Sequence, residues 1–469
     1  MPTTPQSEAA LAIIRTLRAA GHEAFLAGGC VRDLLLGREP QDYDVATSAT
    51  PDMVLGMFPR TFAVGAHFGV VLVASEIDED CEDGSIAERC VTEVATFRND
   101  GVYSDGRHPD EVRYTKTAAE DVQRRDFTIN GLLLDPPRGG GSLDELLANP
   151  AQLRSAVLDY VGGLDDLDAH VIRAIGRPEK RFEEDQLRLL RAVRFAARFG
   201  FEIEHATLAA IRKLAARIHA VSRERIREEL TKMLTEGRAR RAFELLDETD
   251  LLVQMLPEVS RMKGVQQPPQ FHPEGDVWIH TLMLLEQLEL GCPMTLAWGA
   301  LLHDVGKPPT YREAPDRIRF DGHVEVGVAM TADICRRFRF SNDETHQILA
   351  LVDNHMRFAD APRMKSSTLK RFFRLESFPE HLALHRMDCL AAHRNLEIYD
   401  FVRERYESLP EQEVRPQPLL TGRELIAAGY KPGPAFKRML QSVEDAQLEG
   451  SITSAEEGMA LVREIFGNP

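Results

Sequence analysis

Six cysteines, Cys30, Cys81, Cys90, Cys292, Cys335 and Cys389, are scattered along the 469 residues without a single CxxC pair. That spacing argues against a zinc knuckle or a disulfide framework and points to a reducing, cytoplasmic compartment. No uninterrupted apolar run approaches the roughly 20 residues needed to span a bilayer, so no membrane role is expected. The N-terminal stretch lacks a basic segment followed by a clean apolar core and reads as a mature amphipathic helix rather than a signal. Positive charge is also in deficit: 57 Lys and Arg against 74 Asp and Glu give −17 and an isoelectric point near 5.4. At first sight this disfavours a protein that grips phosphate backbones, which rewards Lys and Arg. What is present is ample material for packed cores, with 43% apolar residues and enough length for about three domains at roughly 150 residues each.

Along the chain, residues 1 to about 145 mix helix and strand signals. A helical stretch at Leu11–Ala20 precedes EAFLAGG, QDYDVAT, TFAVGAHFGVVLVAS and RCVTEVATFR, whose β-branched runs predict strands. SEIDEDCEDGSIAE between two of them predicts a solvated acidic loop, and PPRGGGS at 136–142 predicts the exit from this first domain. From about 160 onward the strand signal vanishes. EEDQLRLLRAVRFAARFG, HATLAAIRKLAARI, SRERIREELTKMLTEG and ARRAFELLDETDLLVQML carry apolar residues at three-and-four spacing and predict consecutive helices. MKGVQQPPQFHPEGD, rich in Pro and Gly, reads as a linker into a second helical block. The expected layout is therefore 1–145, a helical neck at 146–260, a helical domain at 272–400 and a helical tail at 401–469.

The first informative motif is FLAGGCVRDLLLGREPQDYDVAT. Gly28 and Gly29 fall where a strand gives way to a helix, and glycine there lets backbone N–H groups approach phosphates that a side chain would exclude. Arg32 on that helix is a candidate phosphate contact. Asp42 and Asp44, two apart in a strand-like run, emerge on one face and suit two Mg²⁺ ions about 4 Å apart.

GGCVRDLLLG with DYDVAT, followed in order by VGAHFGVVLV, EVATFR, YSDGRHPD, RRDFTIN and EEDQLRLLRAVRFAARFGF, resembles the bacterial class II tRNA nucleotidyltransferase and poly(A) polymerase family, a branch of the polymerase β superfamily. The resemblance covers about the first 260 residues. It implies an α+β fold class: a polymerase β-like nucleotidyltransferase head, a small sheet with helices, followed by an all-α neck. It also implies metals at Asp42 and Asp44, with Glu93 as a candidate third acid, and contacts from Arg125, Asp126 and Asn130 of RRDFTIN to the ribose and phosphates of an incoming nucleotide. A carboxylate plus an amide meets a sugar hydroxyl's donor and acceptor demands.

Base choice without a template must come from side chains. Asp185 and Arg188, three apart in EEDQLR, are expected side by side on one helix. A carboxylate accepts and a guanidinium donates, which matches the exocyclic amine and ring nitrogen of cytosine and adenine and repels guanine and uracil. Arg188, Arg191, Arg194 and Arg198 share roughly one helical face, expected to meet a triphosphate near its start and acceptor-stem phosphates further along. Residues Arg98 to Asp110 form a Gly-rich stretch placed where family members use a flexible segment to refashion the pocket from CTP to ATP.

A second series follows: His280 in DVWIHTLMLL, His303-Asp304 in ALLHDVGKP, His323 in DGHVEVG, His355 in VDNHM and Asp388 in HRMDCLAAH. It resembles the HD superfamily of metal-dependent phosphohydrolases and implies an all-α HD domain holding a divalent metal of unspecified identity at His280, His303, Asp304 and Asp388. His323 and His355 would permit a second metal. Imidazole and carboxylate from separate helices suit a borderline divalent cation.

The expected function is transfer of CMP and AMP from CTP and ATP to the tRNA acceptor end, with no obligatory protein partner and with hydrolysis of phosphate esters at RNA ends in the HD domain. The rivals are poly(A) synthesis, addition of only the final A or only CC, and an HD phosphohydrolase whose head merely binds RNA. The charge also segregates: residues 177–241 hold 17 Lys or Arg against 10 Asp or Glu, a local +7, so the remainder carries −24. The neck is the expected seat of the RNA.

Overall fold

The computed structural model describes residues 4–62, 69–76, 89–100, 112–137, 143–270 and 272–469. The expected acidic loop (75–88) and the exit at 136–142 lie mostly outside the described residues, as does most of the Arg98–Asp110 stretch. The chain divides into two compact units, one of Met1–Met233 with Arg241–Met255, the other of Leu234–Arg240 with Leu256–Pro469.

In the first unit the strands are β1 (Ala24–Ala27), β2 (Asp44–Thr47), β3 (Thr61–Phe62), β4 (Val70–Glu76), β5 (Arg89–Thr96), β6 (Arg98–Asp100), β7 (Val112–Tyr114), β8 (Leu132–Leu134) and β9 (Val157–Asp159). Seven of them form one mixed sheet in the order β3-β4-β5-β2-β1-β8-β9, while β6 and β7 pair separately. β2 and β5 run parallel; the other neighbours in the large sheet are antiparallel. β1 is central and buried on both faces, which is why AFLA shows no alternation. Ala24 and Leu26 pack under the helix Pro5–Ala19 through Ala10, Ile13, Ile14 and Leu17. Phe25 and Ala27 pack on the opposite face with Ala46, Phe97, Val122 and Leu133. Thr4 caps that helix, accepting from Ser7 N at 3.2 Å, and Pro5 occupies its first turn.

The α+β class is as expected, with two differences. β9 returns to the sheet edge beyond residue 145, where the first domain was expected to end; its three residues pair with β8. Short parallel pairing of Val171–Ile172 with Glu202–Ile203 and an antiparallel hairpin at Arg312–Glu313 and Ile318–Arg319 also interrupt the expected all-helical region. Two-residue strands are too short to register as periodicity.

EEDQLRLLRAVRFAARFG is two helices rather than one, Pro178–Glu184 and Leu187–Phe199. Asp185 between them is extended (φ −143°, ψ 107°), and its Oδ1 accepts from Leu187 N at 3.0 Å. A local side-chain acceptor competing with the helix ladder explains the break. Gly200, in the left-handed region, ends the second helix.

The second unit is helical apart from the hairpin. Phe358, Phe372, Phe373, Phe378 and Val402 form one core, and Leu420, Leu425, Tyr430, Met439, Val443 and Val462 another near the C-terminus. Arg371 and Arg374 tie the helix Ser366–Phe372 region to the C-terminal helices through Glu444.

Candidate functional sites

In the first unit, β1 ends at Ala27, whose register partner on β2 is Asp44. The chain then turns through Gly28 (φ +75°) into the helix Gly29–Leu35, so the glycine turn and the carboxylate lie side by side. A Cβ at Gly28 would stand 3.0 Å from Arg125 Nη1, and the positive φ itself favours glycine. Tyr43 is buried in the core, which by alternation turns Asp42 and Asp44 to the other side.

Asp42 is exposed and Asp44 half-buried. Glu93 immediately precedes Val94 on β5, as Asp44 immediately precedes Val45, and those two valines are register partners. The three acids are electrostatically coupled. Burial, then the charges of Glu93 and Asp42, push the Asp44 carboxyl up to about 6 against the opposing charge of Arg125. Such crowding is what a divalent cation relieves. The structure thus brings Asp42, Asp44, Glu93, Gly28 and Arg125 together.

Arg125 is held by Asp121, buried and bonded to Arg124 at 2.7 Å and Arg125 at 3.1 Å. Reasoning from sequence passed over Asp121, although its i,i+3 and i,i+4 spacing to two arginines was a usable signal.

RRDFTIN forms a buried chain of hydrogen bonds. Asn130 Nδ2 donates to Asp126 Oδ1 at 3.1 Å, and Arg191 Nε donates to Asp126 Oδ2 at 2.8 Å. Burial alone would raise the Asp126 carboxyl, but the charges of Arg191 and Arg188 and the Asn130 bond hold it down at about 2. Arg32 is the innermost link, donating to Asn130 Oδ1 at 2.6 Å and to Asp33 at 2.8 Å. It also lies over the rings of Phe195 and Phe199. The expectation that Arg32 meets phosphate is corrected: at 4% exposure its guanidinium is committed beneath the glycine turn.

Two expectations for the neck also change. Asp185 and Arg188 do not pair on one helix. Asp185 Oδ2 accepts from Arg225 Nη2 at 3.3 Å, while Arg188 donates to Glu184, to the Arg181 carbonyl and to the Arg124 carbonyl. The helix break at Asp185 is the reason. Arg194, expected on the nucleotide-binding face, forms a buried pair with Glu229 at 2.7 Å. Arg191 and Arg194 thus serve internal ion pairs, and the exposed positive charge of this region includes Arg177, Lys180, Lys213, Arg217 and Lys232.

In the second unit the helix Val277–Leu285, capped by Asp276, carries His280. His303 and Asp304 close the helix Met294–Leu302. His323 opens the helix His323–Arg337, His355 follows Asn342–Asn354, and Asp388 rides on Phe378–Ala391. Gly306 permits this convergence, because a Cβ there would lie 2.0 Å from the His323 carbonyl.

His280 Nε2 is 3.1 Å from Asp388 Oδ1 and 3.8 Å from Asp304 Oδ2, and His303 Nε2 is 3.2 Å from Asp304 Oδ2. The other Asp304 oxygen is 4.0 Å from His323 Nε2 and 3.8 Å from His355 Nε2. Asp304 therefore belongs to two potential ligand groups, one with His280 and His303, the other with His323 and His355.

Each imidazole spends its Nδ1–H on a fixed acceptor: His303 on the Ala300 carbonyl, His323 on Phe320, His355 on Val352 and His280 on Glu274. Carbonyls and carboxylates only accept, so Nε2 is the ring atom each histidine has left for a cation. His280 and His303 Nε2 face each other at 3.3 Å, and the Nε2 atoms of His323 and His355 are buried without a hydrogen-bond partner. Burial lowers His280, yet bonds to Asp388 and Glu274 overrule it and raise it to about 9; the site draws positive charge to this point. Burial pushes His355 down to about 4. The residues fit divalent cations. A cavity of about 780 Å³ opens on them, lined also by Lys307, Arg317, Arg319, Phe320 and Met356.

Three protein-family models match the chain in order: the poly A polymerase head domain at 24–173, the probable RNA and SrmB-binding site of polymerase A at 200–263, and the HD domain at 277–393. The CCA-adding enzyme of Lactobacillus helveticus is 36% identical over 281 residues, 59% of this chain and 63% of the relative. That of Geobacillus thermodenitrificans is 38% identical over 247 residues, 53% of this chain and 54% of the relative. These matches thus span less than two thirds of the relatives' own length. A crystal structure of the Bacillus stearothermophilus CCA-adding enzyme in complex with CTP superposes with a TM-score of 0.69 at 26% identity, covering 99% of this chain and 98% of that one. Head, RNA-binding and HD models thus match in this order, and the chain is similar to CCA-adding enzymes over more than half of its length.

Proposed function

We propose that the chain transfers CMP and AMP from CTP and ATP to the 3′ end of tRNA. The observation that carries this is the coupling of Asp42, Asp44 and Glu93 beside the Gly28 turn and Arg125. The three carboxylates hold Mg²⁺, which when bound neutralises the triphosphate and lowers the pKa of the attacking 3′ hydroxyl. Arg125 and the backbone of the glycine turn receive the phosphates, with Asp121 keeping the guanidinium in place. Asp126 and Asn130 face the ribose from a network whose arginines fix their rotamers. Asp185 accepts from the exocyclic amine of cytosine or adenine and Arg188 donates to the ring nitrogen, while guanine and uracil present the reverse pattern.

The relatives named as CCA-adding enzymes favour this reading over poly(A) synthesis. The test offers tRNA transcripts ending before CCA, after C and after CC with labelled CTP, ATP or both. Stepwise completion to CCA is the expected product. Long A tails point to a poly(A) polymerase, and extension of only one transcript class to partial addition.

A second activity belongs to the HD site. His280, His303, Asp304 and Asp388, with His323 and His355, hold divalent metal for hydrolysis of phosphate monoesters or 2′,3′-cyclic phosphates at RNA ends. The buried Nε2 atoms of His323 and His355 support it. Phosphate release that depends on added divalent metal, and that is lost in His303→Ala with Asp304→Ala, is the expected result. The dispersed cysteines, free wherever they are described, suit a reducing compartment such as the cytoplasm.

A further inference from the structure

The segment MKGVQQPPQFHPEGD reads as a linker from its Pro and Gly content, and the HD model begins only at residue 277. Two of its polar side chains nevertheless reach the metal-ligand cluster. Glu274 has a side chain only 4% exposed, and its Oε1 accepts from His280 Nδ1 at 2.7 Å and from His272 Nδ1 at 2.9 Å. Gln267, 3% exposed, accepts through Oε1 from Lys307 Nζ at 2.7 Å, and the same ammonium lies 2.7 Å from Asp304 Oδ2. Asp276 at the end of the segment caps the His280 helix through Ile279 N at 2.8 Å and accepts from Gly264 N at 2.6 Å.

An ordinary connector has its polar atoms in water. Here a carboxylate and an amide are buried, and each engages a partner that itself touches a ligand. Desolvating Glu274 is costly unless its bonds are used, and Oε1 accepts from two imidazoles. The consequence for His280 is geometric. With Nδ1–H committed to a carboxylate, only Nε2 can ligate, and the ring plane is fixed toward Asp304, Asp388 and His303.

We infer that residues 265–270 and 272–276 act as a strap that completes the metal site, with Glu274 the positioning residue for His280 and Gln267 the positioning residue for Lys307 and, through it, Asp304. The inference rests on the reading of this cluster as a metal site. His272 is the outer support of the same carboxylate, and its ring packs edge-on against His280 with centroids 5.0 Å apart.

The test uses the full chain carrying Asp42→Ala with Asp44→Ala, so that the first site does not contribute, and titrates Co²⁺ by visible absorption and Mn²⁺ by calorimetry. Glu274→Ala is expected to weaken binding by about 10- to 100-fold and to alter the Co²⁺ spectrum. Glu274→Gln, which retains an acceptor oxygen, is expected to recover part of the affinity. Gln267→Ala gives a smaller loss, because Lys307 keeps its contact with Asp304. Unchanged affinity and spectrum in Glu274→Ala overturn the inference, as does an equal loss in Glu274→Gln and in a folded variant altered far from the cluster. If His303→Ala with Asp304→Ala also binds like the parent, the metal reading itself fails. If that variant loses binding while Glu274→Ala does not, only the strap is refuted.

Discussion

The two clusters of acidic and imidazole side chains meet one electrostatic problem in opposite ways. In the first unit, acids crowd together: Asp42 and Glu93 are exposed, Asp44 is half-buried, and the charge of Arg125 opposes theirs at Asp44. Water screens the repulsion. In the second unit the ligands are buried, and Asp304 at 2% exposure has His303, His280 and Lys307 around it. Burial would raise its carboxyl, yet these neighbours hold it well below the usual range. An exposed acidic cluster depends on arriving cations and substrate for its compensation. A buried cluster must bring its own, and it does so through fixed Nδ1 donors and Lys307.

That contrast predicts separable loss of function. Asp42→Ala with Asp44→Ala is expected to lower nucleotide incorporation by at least about 10³-fold, corresponding to roughly 4 kcal/mol of transition-state stabilisation, and to leave metal-dependent phosphate release intact. Parallel primer-extension and phosphate-release assays on one preparation check it. Incorporation at the parent rate would remove these acids from the chemistry.

The reverse substitution has a different signature. Asp304→Ala removes the partner of Lys307 inside a buried site, with an expected stability cost of about 3 kcal/mol besides the loss of phosphate release. Denaturant melts of the chain with Asp304→Ala alone and with Asp304→Ala plus Lys307→Met provide the check: the double variant should regain part of the loss. For Asp42, which is exposed, the corresponding stability change should be within about 0.5 kcal/mol.

The contrast also explains what could be read beforehand. Asp42 and Asp44 stand two apart in a strand-like run, and the histidine series resembles an ordered family motif, so both clusters were legible in the sequence. Their supports were not. Arg32 has the position of a phosphate ligand in sequence, but two aromatic rings from the neck, Phe195 and Phe199, arrive 163 and 167 positions later and cover it. Glu274 stands in a Pro-rich run with no periodicity, and only tertiary contact with His280 reveals it. Asp185 and Arg188 have helical spacing, yet the carboxylate's bond to Leu187 N breaks the helix that would have paired them. Short-range pattern reports which element a residue joins, whereas the partner that consumes its charge is set by chain segments far away.

The network around Asp126 gives a smaller effect with a defined pH signature. Its folded pKa of about 2 lies below the ordinary 3.8, so its contribution is fully present above pH 3.8 and is lost as pH falls through 2. The full contribution is about 2 kcal/mol. Asp126→Asn should therefore be less stable than the parent by about that amount at pH 7, with the gap closing between pH 4 and pH 2. Urea midpoints across this range test it, and a gap that stays constant would assign the loss to packing rather than to charge.

The smallest effect concerns base choice. Asp185 is half-buried, and its Oδ2 is aimed by Arg225, which occupies the third position after Ser222 where a helix-capping acid would ordinarily stand. That single bond is 3.3 Å long and partly solvated, so removing it is worth about 1 kcal/mol, or roughly fivefold. The backbone bond from Leu187 to the other oxygen survives the substitution and keeps Asp185 near its place. Arg225→Ala should accordingly leave the rate with CTP and ATP within a few-fold of the parent while raising misincorporation of UTP about fivefold relative to CTP. The ratio is the informative quantity, because a general loss of neck stability would lower both rates together. A fall in incorporation with an unchanged UTP-to-CTP ratio would mean that Arg225 supports the helix and has no part in orienting the carboxylate toward the base.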